Sequence, residues 1–95
     1  MAEDRQKYRN VERVMKGVAN HRRAQILYLL KEEPELSVAE ITKKLGVNFR
    51  TVSDHTKKLV HAGLVMKRSD SVSVRHKLTD LGHKVFEFIV TYIKN

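Results

Sequence analysis

Residues 37–63 constrain the fold more than any other stretch. Ser37 and Glu40 have the S-x-x-E spacing of a capping box, in which each side chain bonds the other residue's free N–H at a helix start. Val38, Ile41 and Leu45 then share one helical face, and Gly46 suits the left-handed turn that ends a helix. Only Gly46 and Val47 separate this short helix from Asn48, which can cap another helix lasting to Ala62, with Gly63 as its stop. Two helices joined by a turn of about three or four residues containing glycine form a helix-turn-helix.

The flanking segments complete a single domain over residues 1–95. Upstream, Tyr8, Val11, Met15 and Val18 recur at helical spacing, and Gly17 weakens that helix near its end. Asn20 can cap the next helix, which carries Ala24, Ile26, Leu27, Leu29 and Leu30 until Pro34 stops it. After Gly63 the period changes from helical to alternating. Leu64–Arg68 reads as a strand, and Ser69, Asp70 and Ser71 as a turn. Val72, Val74, His76 and Leu78 read as the buried side of a second strand, with Arg75 and Lys77 on a basic outer face. Thr79 can cap a last helix rich in apolar residues, with Asp80 suited to its positive N-terminal end. The expected class is mainly α with one β-hairpin, a winged helix-turn-helix with extra N- and C-terminal helices. Its parts are the helix-turn-helix at about 37–62, the wing at about 64–78, and terminal helices at about 4–17 and 79–93.

The net charge of +8 is unevenly spread. Residues 43–77 hold nine basic residues against two acids, a net of +7, while the rest of the chain sums to +1. A basic stretch beside near-neutral chain suits a polyanion partner. There is no cysteine, which excludes disulfides, thiolate metal sites and cysteine nucleophiles. The charged start, Met1–Tyr8, has no apolar segment behind it, and no run approaches the roughly 20 residues that span a bilayer. A soluble, cytoplasmic protein is expected. Ser53, Asp54 and His55 cannot act as a catalytic relay, because consecutive helical residues point about 100° apart. No phosphate loop, dinucleotide fingerprint or H-x-x-x-H pair is present. No enzyme activity and no cofactor are expected.

The helix after the turn carries the functional expectation. Val52, Thr56 and Leu59 form its buried stripe, and Arg50, Ser53, Asp54, Lys57 and His61 its opposite face. Such a helix fits the major groove, about 12 Å wide, where every base pair presents a distinct hydrogen-bonding pattern. Arg50 suits a bidentate guanine contact. Ser53 can donate or accept, and Asp54 either accepts from cytosine or orients Arg50. Phe49 is expected to pack beside Val52, with a thymine methyl as the alternative. A merely solvated polar face is the competing reading, and the wing's charge could equally protect an edge hairpin against aggregation.

Residues 19–83 resemble the ArsR-type branch of winged-helix regulators. The resemblance lies in Ala19–Leu27, in Ser37-Val38-Ala39-Glu40-Ile41, in Thr51-Val52-Ser53 with His55 and Leu59, in Ala62-Gly63-Leu64-Val65, and in Leu78-Thr79-Asp80-Leu81-Gly82. It implies that Thr51, Ser53 and His55 lie at or near the DNA backbone. Thr56 stands where that family usually has leucine. Metal sensors of the family often use cysteines in the third helix, or Asp with His on the last. Here only Asp80 and His83 match, and they are read as a dipole partner and an exposed side chain.

The expectation is thus a homodimeric regulator that binds double-stranded DNA sequence-specifically. Candidate DNA contacts are Asn48, Arg50, Thr51, Ser53, Asp54, His55, Lys57, Lys58, Lys67, Arg68, Arg75 and Lys77. Candidate dimer contacts are Tyr8, Val11, Met15, Phe86, Ile89, Val90 and Ile93, with Phe86 and Val90 forming an outward face of the last helix. One alternative is an architectural protein without sequence preference, distinguished by equal affinity for random and selected DNA. Another is a protein-binding module, which would not need the +7 segment.

Overall fold

The capping signals in the sequence are all used in the computed structural model, which describes residues 2–94, with side chains from Asp4. The elements are α1 (Ala2–Val18), α2 (His21–Glu32), α3 (Val38–Leu45), α4 (Phe49–His61), β1 (Val65–Ser69), β2 (Val74–Leu78) and α5 (Asp80–Lys94). Asn20 Oδ1 accepts from the N–H groups of Arg22 and Arg23 at 2.9 and 3.2 Å. Ser37 and Glu40 exchange reciprocal bonds of 2.9 and 3.1 Å. The Ser37 N–H holds the Glu40 carboxyl below the usual carboxylate range. Gly46 takes φ +67° at the end of α3, a conformation costly for any residue with a Cβ. The Gly82 N–H donates to Thr79 Oγ1 at the start of α5, and the Thr79 hydroxyl donates to the Gly63 carbonyl.

The core gathers Ile26, Leu27 and Leu30 of α2, Ile41 of α3, Val52 and Leu59 of α4, Leu64, Val65, Leu78 and Phe86. Residues 4–13 of α1 are exposed throughout, so that helix packs only through Val14, Gly17 and Val18. Gly17 does more than weaken the helix: a Cβ there would collide with the Ala62 side chain, so its hydrogen lets α1 lie against the end of α4.

The wing is an antiparallel pair with Val65 opposite Leu78 and Lys67 opposite His76. Its turn is longer than expected. Asp70 Oδ1 accepts from the N–H groups of both Val72 and Ser73, which draws Ser71–Ser73 into the tip. Val72 is therefore not on a buried strand face but 90% exposed. Leu36 adds a short third pairing on the free edge of β2: its carbonyl accepts from the His76 N–H, and the Glu35 N–H donates to the His76 carbonyl, each at 2.9 Å. Glu35, at φ +72°, makes the turn into it.

The outward face of α5 differs from the expected one at Phe86 and Val90. Phe86 is 7% exposed and meets Tyr28 of α2 with ring centroids 6.1 Å apart. Ile89 and Val90 are half-buried beside it. Leu81, Phe88 and Tyr92, at positions i, i+7 and i+11, point to solvent, and Ile93 is exposed at the helix end. Two apolar faces on one helix left the choice open, and the face with Phe86 is the one packed against α2.

Candidate nucleic-acid interface

Asn48 Oδ1 accepts from the Thr51 N–H at 3.2 Å and so starts α4. The expected stripe of Val52, Thr56 and Leu59 is buried. Thr56 fits there because its hydroxyl donates to the Val52 carbonyl at 2.7 Å, leaving its methyl to pack. With that stripe fixed inward, Arg50, Thr51, Asp54, Lys57, Lys58 and His61 are exposed and Ser53 is half-buried. Among the described residues, no ion pair joins Asp54 to Arg50, and none engages Lys57, Lys58 or Lys67. Phe49, expected to pack, is instead 56% exposed at the first turn.

His55 departs from the expected set. Its Nδ1 accepts from Arg23 Nε at 3.2 Å, and Arg23 Nη1 donates to the carbonyls of Lys16 and Gly17, each at 2.9 Å. Burial, and then the charges of Arg23 and Lys58, hold its imidazole below the usual value. His55 thus joins α4 to α2 and α1 instead of turning outward with Arg50.

The four basic wing residues have three different situations. Lys67 faces α4, across a cleft of about 250 Å³ that Ser53 and Lys57 also line. Arg68 and Arg75 are on the other face of the hairpin, each held by a carboxylate at 2.7 Å, Glu35 and Asp70 respectively. Arg75 also donates to the Glu35 carbonyl. The Ser73 N–H, Arg75 and the Val72 N–H together hold the Asp70 carboxyl far below its usual range. Lys77 opens onto a crevice with Lys31, Asp80 and His83, on the side away from α4. Of the wing cations, only Lys67 lies beside the recognition face. The pairing of Arg68 with Glu35 spans 33 residues, and nothing in the local sequence pattern announces it.

Arg23 and Glu35 are thus structural parts of the site that sequence reasoning did not single out. Among the described residues, no group of three or more His, Asp or Glu side chains is arranged to hold a metal ion. No described helix is long and apolar enough to cross a membrane.

Residues 20–67 match the family described as bacterial regulatory protein, arsR family. The transcriptional activator HlyU of Vibrio cholerae is 36% identical over 66 residues, which cover 70% of this chain and 60% of that protein. Thus the match spans less than two thirds of that relative. The solved structure of reduced Vibrio cholerae HlyU is similar over 94% of each chain, with a TM-score of 0.78 at 29% identity. The homodimeric winged helix-turn-helix DNA-binding domain Mb0332 of Mycobacterium bovis, described as a possible ArsR-family regulator, gives a TM-score of 0.83. It is 30% identical, over 92% of this chain and 81% of that one. With its helix-turn-helix and half its length matched, this chain belongs to the arsR family of bacterial regulatory proteins.

Proposed function

We propose that the protein is a homodimeric transcription regulator that binds double-stranded DNA sequence-specifically. The observation that carries this is the outward face of α4. Arg50, Thr51, Asp54, Lys57 and Lys58 are exposed on a helix anchored by its opposite face, and Arg50 and both lysines lack ion-pair partners among the described residues. Side chains near the start of such a helix reach base edges, and later ones meet the backbone. Arg50 reads guanine, with Ser53 and Asp54 as further base contacts. Thr51, Lys57, Lys58 and Lys67 contact phosphates. Acting on DNA implies a cytoplasmic location.

The dimer follows from α1 and α5. A helix with its first turns unpacked is marginal in water, and α1 bears Tyr8, Val11 and, nearer its end, Met15 along one side, all more than half exposed. Leu81, Phe88 and Tyr92 on α5 have the same need for cover. A symmetric interface between copies buries both sets. Two recognition helices about 34 Å apart would then read half-sites one turn apart.

Selection of bound sequences from a random duplex pool, then titration of the selected site against salt, tests the reading. If a dimer neutralises roughly 6–10 phosphates, log K falls against log salt with a slope of about −5 to −9. A flat response would refute DNA binding, and equal affinity for random DNA would make the protein architectural.

A further inference from the structure

The two flanks of α1 differ in character. At about 100° per residue, Val14, Gly17 and Val18 turn inward, Tyr8, Val11 and Met15 lie on one side, and Arg13 and Lys16 on the other. A groove of about 370 Å³ separates the basic flank from the end of α4. Its walls are Arg13 and Lys16 of α1, Arg23 of α2, and Lys58 and His61 of α4, over the contact between Gly17 and Ala62.

Among the described residues, no carboxylate lines the groove. Among the described residues, the one ion pair made by its cations joins Lys16 to Glu12 at 3.6 Å, with both side chains more than half exposed, an arrangement that contributes little. Arg23 cannot swing its charge away, because three hydrogen bonds hold it to Lys16, Gly17 and His55. Burial first, and then the charges of Arg23 and Lys58, hold the nearby His55 imidazole below its usual value. Like charges fixed around a concave surface attract an anion more strongly than the same charges spread out.

We propose that this groove seats a phosphate of the DNA backbone, so that α1 shares in binding with the recognition helix. The proposal rests on the DNA-binding reading above. Two observations and the proposed dimer favour DNA as the source of the phosphate. Lys58 and His61 continue the exposed face of Lys57 and Asp54 along α4, so the groove is an extension of the recognition surface. It adjoins the later part of that helix, where backbone is met. A partner subunit that covered Tyr8, Val11 and Met15, as proposed above, would leave the opposite flank of α1 open.

The test compares the wild-type chain with Arg13→Gln/Lys16→Gln and with a charge-matched control, Lys31→Gln/Lys84→Gln, on the selected duplex. Arg13, Lys16, Lys31 and Lys84 are all exposed, and thermal unfolding checks that each variant folds. Loss of one phosphate per protomer makes the salt slope shallower by about 2 and weakens binding roughly tenfold or more at moderate salt. The control leaves the slope as it is. An Arg13→Glu variant should weaken binding further. If wild type binds with the steep slope and the double glutamine variant matches it, the groove proposal fails while the DNA reading stands. If wild type itself gives a flat slope, the DNA reading fails. Inorganic triphosphate that raises the Tm of wild type but not of the double variant, with their DNA affinities equal, would assign the groove to a free phosphoanion and overturn the proposal.

Discussion

Phe86 and Phe88 are two residues apart on α5 and should respond to truncation in opposite ways. Phe88 is 69% exposed, and an open aromatic side chain presents roughly 200 Å², so about 140 Å² awaits cover. At about 25 cal/mol per Å², covering half of it contributes about 1.7 kcal/mol per protomer, and about 3.5 kcal/mol to a symmetric dimer. Phe88→Ala should therefore weaken the dimer about 300-fold, since about 1.4 kcal/mol is tenfold. Its effect on a monomer should be slight. Phe86→Ala instead removes a ring from the core and its contact with Tyr28. That costs about 3–5 kcal/mol, a large share of the roughly 5–15 kcal/mol that holds a domain together. Dimerisation stabilises the fold by mass action, so Phe86→Ala is best measured in a Phe88→Glu background. Sedimentation equilibrium reads the first effect and urea unfolding the second. An undiminished Phe88→Ala dimer would refute the outward assignment of this face. An unchanged midpoint for Phe86→Ala would refute the inward one.

Three further outcomes follow. Arg50→Ala should cost about 1–3 kcal/mol on the selected site and relax preference at one base pair, whereas Lys57→Ala should weaken all sequences evenly; equal losses for Arg50→Ala on selected and random DNA would remove it as a base reader. His55 is held below the ordinary imidazole value of about 6.5, so the folded chain binds fewer protons than the unfolded chain in that range. Its contribution to stability is then full above about pH 6.5 and declines as pH falls towards the folded value; unfolding free energies from about pH 7 to 5 should have a shallower slope in His55→Asn, and identical slopes would contradict the assignment. Asp70→Ala should unfasten the wing tip, seen as faster hydrogen exchange at the Val72 and Ser73 amides, whose protection depends on that carboxylate.

The elements were legible where a local signal decides them. Asn20, Ser37 with Glu40, Gly46, Asn48 and Thr79 act within a few residues of their own positions, and each does in the fold what its spacing predicts. The buried stripe of α4 was legible for the same reason. What was hidden depends on distant partners. Arg68 with Glu35 and Arg23 with His55 join segments more than 30 residues apart, and a basic residue looks equally available whether or not a carboxylate waits for it. The wing therefore seemed uniformly basic, although two of its four cations are paired. The inward face of α5 was undecidable for a related reason. Periodicity finds an apolar face but cannot say which of two is turned to the core.

Arg23 shows how the two proposed functional surfaces are coupled. Its guanidinium closes the exposed carbonyl end of α1 and holds His55 on α4. The cationic group also suits the negative end of a helix dipole. Gly17 brings the same two helices together through Ala62, so two independent contacts fix their relative position. If α1 forms part of the dimer interface and α4 enters the groove, this junction sets where the recognition helix lies relative to the two-fold axis. Small changes there would alter the spacing of the two recognition helices without touching a base-reading residue. Lysine could supply the charge at position 23 but not the planar fork that reaches both α1 and α4.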